Sequence, residues 1–434
     1  MQVIRFIFVL FVCVYSQWVL ASLPIQYWQT SSGARVFFVE NRDLPMLDIS
    51  VEFNAGSSLD TPETSGRANL TSHLLSLGAG GLSEDQIAKA LADLGAQLGG
   101  NFDRDRAGVS LRTLSSEPVR KQALEIFSRI IQYPEFPVDV LERERVRIIA
   151  GIKEASTKPG YIADRELMKM LYGDHPYGLS DSGEIHALRT MQRKDLVAFY
   201  RSHYIAKNAV IALIGDVSRL EAAAIAELLT EYLPANGANN TLPPVQDPVA
   251  QTRRIAHPAT QSHIQLAYPG LRRHDPDYFP LLVGNYILGG GGFVSRLMHE
   301  IRQLRGLAYS VYSYFAPFKE KGPFQIGLQT KKDQAKEALQ LTQKVLAEFV
   351  SEGPTEEELI AAKQNIIGGF PLRLDSNKKI LGYLSMIGFY NLPLTYLDDY
   401  LQAVEKVTVA QIKQSFQNRI KPEGMVTVVI GAAE

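Results

Sequence analysis

The chain has 434 residues, 45 Lys plus Arg against 46 Asp plus Glu, and a formal net charge of −1. That length predicts two or three domains with sizeable cores, and the balanced charge argues against the basic stripe of a nucleic-acid binder. No low-complexity tract or long like-charge block occurs, so extended disorder is not expected either.

Residues 1–5 carry one positive charge, residues 6–21 are almost wholly apolar, and Val19 and Ala21 stand at the −3 and −1 positions of a cleavage site. These features predict a secretory signal peptide over 1–21. The protein is then secreted, and periplasmic if the source is Gram-negative. A retained membrane anchor is the alternative, but the apolar run is short for a span and is interrupted by Ser16 and Gln17. No stable membrane span is expected after cleavage. The one cysteine, Cys13, lies inside this segment, so the mature chain is expected to hold no disulfide and to do no thiol chemistry.

Strands are expected at 35–40 and 47–53 around a turn at 41–45. Helices follow at 66–77 and 83–94, the second with Ser83 as N-cap and Gln86 three residues on. A hairpin over 97–102 and 107–114, helices at 117–133, 138–156, 162–171 and 194–203, and a buried strand at 209–214 complete a first domain over 22–232. Residues 233–251 hold four prolines and three asparagines with no apolar period, which reads as a flexible linker. Beyond it, in 252–434, the pattern predicts strands at 264–268, 324–329 and 425–430. It also predicts helices at 278–288, 333–351, 355–370, 378–390 and 409–419.

The order recurs. Residues 187–215 lie over 403–431 without a gap at an offset of 216, so that Leu196 faces Ile412, Tyr200 faces Phe416 and Gly215 faces Gly431. A period this long implies two copies of one α+β domain rather than a solenoid. Each copy should have a mixed or antiparallel sheet with helices packed on one face, and the pair should form a clamshell enclosing a chamber.

Residues 288–314 read LGGGGFVSRLMHEIRQLRGLAYSVYSY. After the glycines, Val294, Leu297, Met298, Ile301 and Leu304 fall at helical spacing, and Gly306 ends the helix. Strict alternation then puts Leu307, Tyr309, Val311 and Ser313 on one strand face and Ala308, Ser310, Tyr312 and Tyr314 on the other. Arg302 on the last helical turn and Tyr309 early on the strand can converge, and a guanidinium beside a phenol can hold a carbonyl oxygen and stabilise charge on it. From these residues alone, a solvated arginine and a half-buried tyrosine explain the pattern as well. A glycine run before a helix can also cradle phosphate. No G-K-[ST] follows and no G-x-G-x-x-G spacing is met, so close backbone packing is the expected use.

The run LGGGG…SRL…EIR…GLAYSV resembles the C-terminal-half signature of the M16 (pitrilysin, or inverzincin) metallopeptidase family, and the resemblance covers nearly all of the mature chain. It implies a clamshell of two LuxS/M16-like α+β domains. In that family an arginine followed seven residues later by a tyrosine contacts the substrate backbone opposite the zinc, which gives that role to Arg302 and Tyr309. The family also carries H-x-x-E-H on the first long helix, two zinc ligands flanking the general base. Here GRANLTSHLLSLG puts Asn69 at the first histidine, Ser72 at the glutamate and His73 at the second histidine. On the later helix Glu144 takes an acidic position common in the family, and Gly151 stands where the third ligand belongs, or Ala150 if the alignment slips by one.

No two of the eight histidines lie closer than six residues, so no i, i+4 ligand pair exists elsewhere. The expectation is therefore no metal and no cofactor on this chain, with Asn69, Ser72 and His73 forming a neutral hydrogen-bonded cluster. His175, in GDHPYG, is expected to be structural. The chain resembles the metal-free, non-catalytic subunit of the two-subunit bacterial branch. That resemblance implies a zinc-bearing M16 paralogue with H-x-x-E-H as partner and an extended peptide as substrate, added as a strand to an edge. The chain would then be inactive alone. A non-enzymatic peptide-binding or scaffold protein of the same fold is the alternative.

Overall fold

Runs of Val, Ile and Phe favour pleated, buried backbone, and they form the centre of two sheets. The computed structural model describes residues 23–238 and 241–431; the expected signal peptide lies outside them. No helix among the described residues is long and apolar enough to cross a membrane. The first half contains β1 (Gln26–Gln29), β2 (Arg35–Glu40), β3 (Met46–Phe53), the short β4 (Gly78–Ala79) and β5 (Leu82–Ser83), β6 (Gln97–Phe102), β7 (Ala107–Leu114) and β8 (Val210–Gly215). Its main sheet runs β1-β2-β8-β3-β7-β6. Only β2 and β8 pair in parallel. The second half contains β9 (Gln251–Ala256), β10 (Gln261–Pro269), β11 (Ala308–Phe315), β12 (Pro323–Lys331) and β13 (Val426–Gly431). Its order is β11-β12-β10-β13-β9, with β9 and β13 parallel and the rest antiparallel.

The offset of 216 carries the first residue of β2 onto that of β9, β8 onto β13, and helix Arg193–His203 onto helix Val409–Arg419. The order β2-β8-β3-β7-β6 thus repeats as β9-β13-β10-β12-β11, with the same pairing senses. The architecture is the expected two-domain α+β one. Strands β1 and β9 and helices Arg219–Thr230 and Tyr396–Glu405 lie beyond the elements expected from the sequence. Ser83 caps helix Glu84–Asp93 as expected, accepting from the Gln86 N–H while the Gln86 side chain accepts from the Ser83 N–H.

Side chains alternate across a strand, so each sheet has two faces to cover. In the first sheet Val36, Phe38, Ile49, Val51, Ile211 and Leu213 pack on Leu70, Phe127, Phe199 and Leu229 of that half's own helices. The opposite face, with Phe37, Val39, Val210, Ala212 and Ile214, packs on Ile380, Leu384 and Ile387 of helix Asn377–Phe389, which belongs to the second half. The exchange is reciprocal. Helix Pro159–Tyr172 of the first half lays Ala163, Leu167 and Leu171 on Ala267, Val426, Val428 and Ile430 of the second sheet. Most helices lie on one face of each sheet, as the sequence predicts, and the exchanged helix covers the other.

The turns of the two edge hairpins meet at Asp105, which is fully buried. Its carboxylate accepts from the Tyr177 hydroxyl at 2.7 Å, the Tyr390 hydroxyl at 2.9 Å and the Lys319 backbone N–H at 2.8 Å. Arg106 pairs with buried Glu52 at 2.6 Å and lies 5.6 Å from the Phe389 ring. The connecting segment is not loose where it is described. Val245 is buried against the exchanged helix Pro159–Tyr172, and the Pro243 carbonyl lies 2.9 Å from His175 Nε2. His175 thus ties the connecting segment to the first half, with its Nδ1 accepting from the Tyr177 backbone N–H at 3.1 Å.

Candidate functional site

The glycine run is packed, not open. A Cβ on Gly289 would meet Ser313 Oγ at 2.4 Å and Ser313 N at 2.6 Å, so only glycine lets this backbone lie against β11. Gly292 has φ +62°, which turns the chain into Phe293. The regular helix expected after the glycines is instead a 3₁₀ turn at Gly292–Val294 and a wide π-helical turn at Met298–Gln303, and a second π turn at Tyr286–Gly290 precedes them. Such turns recur at functional sites. Ser295 is buried and its hydroxyl donates to the Gly292 carbonyl at 2.7 Å. Arg296 makes a two-pronged pair with Glu358 at 2.6 Å for each contact and donates to the Gly353 carbonyl at 3.1 Å. Burial pushes the Glu358 carboxyl up, but hydrogen bonds from Arg296 and Thr355 outweigh it and leave it below the usual range. The Ser-Arg pair of the motif therefore anchors the loop.

Arg302 and Tyr309 do converge: the guanidinium carbon lies 4.7 Å from the Tyr309 ring centroid and 4.8 Å from that of Phe293. Cation–π attraction holds such a group without using its N–H donors. Among the described residues no hydrogen bond or ion pair engages those donors. Tyr309 is 79% exposed. Strict alternation would have put it with Val311 and Ser313. The β11–β12 register shifts between Ala308 and Val311, and this bulge moves Tyr309 to the exposed face with Tyr312 and Tyr314, leaving Ala308, Val311 and Ser313 buried. Phe293 gave no signal in the sequence beyond being an aromatic at the end of a glycine run.

Asn69, Ser72 and His73 sit together on helix Arg67–Leu74 and line a cleft of about 320 Å³ with Gly99, Gly100 and Asn101 of the edge strand β6. The neutral cluster expected there does not form, and no hydrogen bond joins the three among the described residues. His73 Nε2 instead lies 2.9 Å from Glu144 Oε2. Arg143 Nε donates to Glu144 Oε1 at 2.9 Å, and Arg147 stands 3.6 Å from Oε2. Glu144 is buried. Burial pushes its carboxyl up, but the bonds to His73 and Arg143 outweigh this and leave it below the ordinary range. The arginines at 143 and 147 flank Glu144 in sequence, so this shielding was visible as a pattern.

These residues do not fit a zinc ion. Asn69 and Ser72 are neutral. Gly151 offers no ligand, although a Cβ there would meet nothing within 4 Å. The carboxylate bonded to His73, that of Glu144, is also taken by two guanidinium groups. Among the described residues no group of three or more His, Cys, Asp or Glu is placed to hold a metal ion. The cleft at His73 is lined by first-half residues, so the structure assembles each group but does not join the Arg302–Tyr309 pair to the cleft.

Comparison with known proteins identifies the family of this fold. Residues 35–183 match the family described as insulinase (peptidase family M16), and residues 190–366 match the one described as peptidase M16 inactive domain. A solved structure described as a peptidase M16 inactive domain, from Pseudomonas fluorescens, is 41% identical with a TM-score of 0.92, covering 95% of this chain and 98% of that one. A non-peptidase homolog, YmxG, from Helicobacter pylori is 25% identical over 380 residues, 87% of this chain and 87% of its own. An uncharacterized zinc protease YmxG from Bacillus subtilis is 25% identical over 354 residues, 81% of this chain and 85% of its own. With the two-domain fold and the degenerate zinc-motif helix in place, this chain belongs to the M16 peptidase family as a member whose described residues form no zinc site.

Proposed function

We propose that this chain is the metal-free subunit of a secreted, two-chain M16 peptidase. It would supply Arg302 and Tyr309 to a zinc-bearing paralogue that carries H-x-x-E-H. The observation that carries this reading is the contrast between two positions. The Arg302 guanidinium lies against two rings with no hydrogen bond or ion pair to its donors among the described residues, whereas His73, the one histidine kept at the zinc-motif positions, is bonded into a Glu144–Arg143 network. The substrate would be an extended peptide, bound by strand addition. Arg302 would donate to a substrate carbonyl, and Tyr309 to the oxyanion that develops during hydrolysis.

The purified chain should hold no stoichiometric zinc and cleave no peptide. Mixed with its zinc-bearing paralogue it should activate cleavage, and Arg302→Ala should remove that gain. Tyr309→Phe should lower turnover by about a hundredfold, as loss of one oxyanion donor does. An EDTA-sensitive activity of the isolated chain would sink the assignment.

The second reading is a non-enzymatic peptide-binding or scaffold protein. The free edge strand β6, with Gly99 and Gly100 exposed beside the cleft, supports it. Peptide binding by the isolated chain, with no activation of any M16 paralogue, would favour it.

A further inference from the structure

We infer that Phe293 is a positioning residue that holds the Arg302 guanidinium ready for a peptide carbonyl. The inference rests on reading Arg302 and Tyr309 as the peptide-contacting pair. Phe293 is 64% exposed, so its ring is not there to fill the core. Its neighbours fix where it points. The Gln303 side-chain amide donates to the Phe293 carbonyl at 3.0 Å, and the Gln303 amide oxygen in turn lies 3.0 Å from His299 Nδ1. The close approach of Gly289 to Ser313 ties the loop before Phe293 to β11, the strand that carries Tyr309.

Loop, wide turn and bulge therefore bring three side chains from separate elements to one point. Arginine has many rotamers, and a flexible one must be ordered each time it binds. A guanidinium flanked by two rings is already ordered. Both contacts are to ring π-systems, so no hydrogen-bond donor is consumed and the planar edge stays available. Ordering of this kind acts on binding and catalysis by reducing what must be arranged when substrate arrives.

The test has one arm that needs no activity. In the isotopically labelled protein, the Arg302 Nε–Hε correlation, identified by its loss in Arg302→Lys, should be shifted upfield by the ring currents of Phe293 and Tyr309. Phe293→Ala should move it toward the position of a free arginine, and Phe293→Trp should keep it upfield. In the second arm, with the zinc-bearing paralogue present, Phe293→Ala should lower kcat/KM by about two- to fivefold, the scale of one exposed cation–π contact, and Phe293→Trp should restore it. An Arg302 signal unmoved by Phe293→Ala overturns the inference, and so does a moved signal with unchanged kcat/KM. If the wild-type mixture cleaves nothing, the subunit reading fails, and the signal still decides whether Phe293 positions Arg302.

Discussion

His203 ends helix Arg193–His203 with its ring 4.4 Å from that of Phe199. It is only 7% exposed. Burial, with the nearby Arg67 charge, pushes its pKa down to about 4. An unfolded histidine takes up its proton near pH 6.5. Between those values the unfolded chain binds one more proton than the folded one, so acid favours unfolding through this residue. Its contribution is fully present above about pH 6.5 and is lost as pH falls toward 4. His203→Gln should therefore flatten the acid limb of the stability curve in that window, by roughly 1–3 kcal/mol at its lower end. Denaturant titrations of both proteins at pH 7 and pH 4.5 measure this, and an unchanged difference between the two pH values would refute it. The same scale shows which site residues a sequence reveals. Arg302 and Tyr309 are seven residues apart on one loop–helix–strand stretch, so local spacing showed that they could converge, while their role came from the family resemblance. The His73–Glu144 pair spans 71 positions, and no local period reports such a contact. Tyr309 was assigned to the wrong strand face because a bulge adds one residue to a period of two.

At the scale of elements, the exchanged helices are what the sequence hides. A 3.6-residue period shows that helix Asn377–Phe389 has an apolar stripe; it does not say which sheet the stripe meets. The offset of 216 does carry it onto helix Pro159–Tyr172, so the exchange could only have been symmetric. The repeat implies that the two halves share one strand order, since two copies of one pattern fold alike, but it does not say which order. Two glycines on this helix separate packing from propensity. A Cβ on Gly388 would lie 2.5 Å from Val210 Cγ1 and 2.7 Å from Phe37 Cε2, whereas one on Gly382 would meet nothing within 4 Å. Gly388→Ala should therefore destabilise by about 1–3 kcal/mol through overpacking against β2 and β8. Gly382→Ala should stabilise by about 0.5–1 kcal/mol, the ordinary gain of alanine over glycine inside a helix. Thermal melts of the two variants should move in opposite directions. Movement in the same direction would mean that the helix does not press on the first sheet.

At the scale of the whole molecule, the two copies are one folding unit and not two beads. Phe37, Val39, Val210, Ala212 and Ile214 are 0–4% exposed and share one core cluster with Ile380, Leu384 and Ile387 of helix Asn377–Phe389. Buried aliphatic and aromatic side chains are each worth about 1.5–3 kcal/mol on being kept from water, and a domain's net stability is only about 5–15 kcal/mol. Losing the cover from one sheet face is thus comparable to the whole stability of a half. The Asp105 hub adds to the coupling. Burial pushes that carboxyl up, and two of its three hydrogen-bond donors, Lys319 and Tyr390, come from the second half. Lys319 is itself held 4.5 Å from the Phe389 ring, where burial lowers its pKa. The intact protein should therefore unfold in one calorimetric transition whose van't Hoff and calorimetric enthalpies agree. A fragment spanning 23–238 should bind a hydrophobic dye and melt without cooperativity, because the face that includes Val210 and Phe37 would be bare. Mixing in a fragment spanning 241–431 should suppress the dye signal, since helix Asn377–Phe389 returns with it. A sharp, independent melt of the first fragment would show that each copy stands by itself, and that the exchanged helices decorate the halves without holding them together.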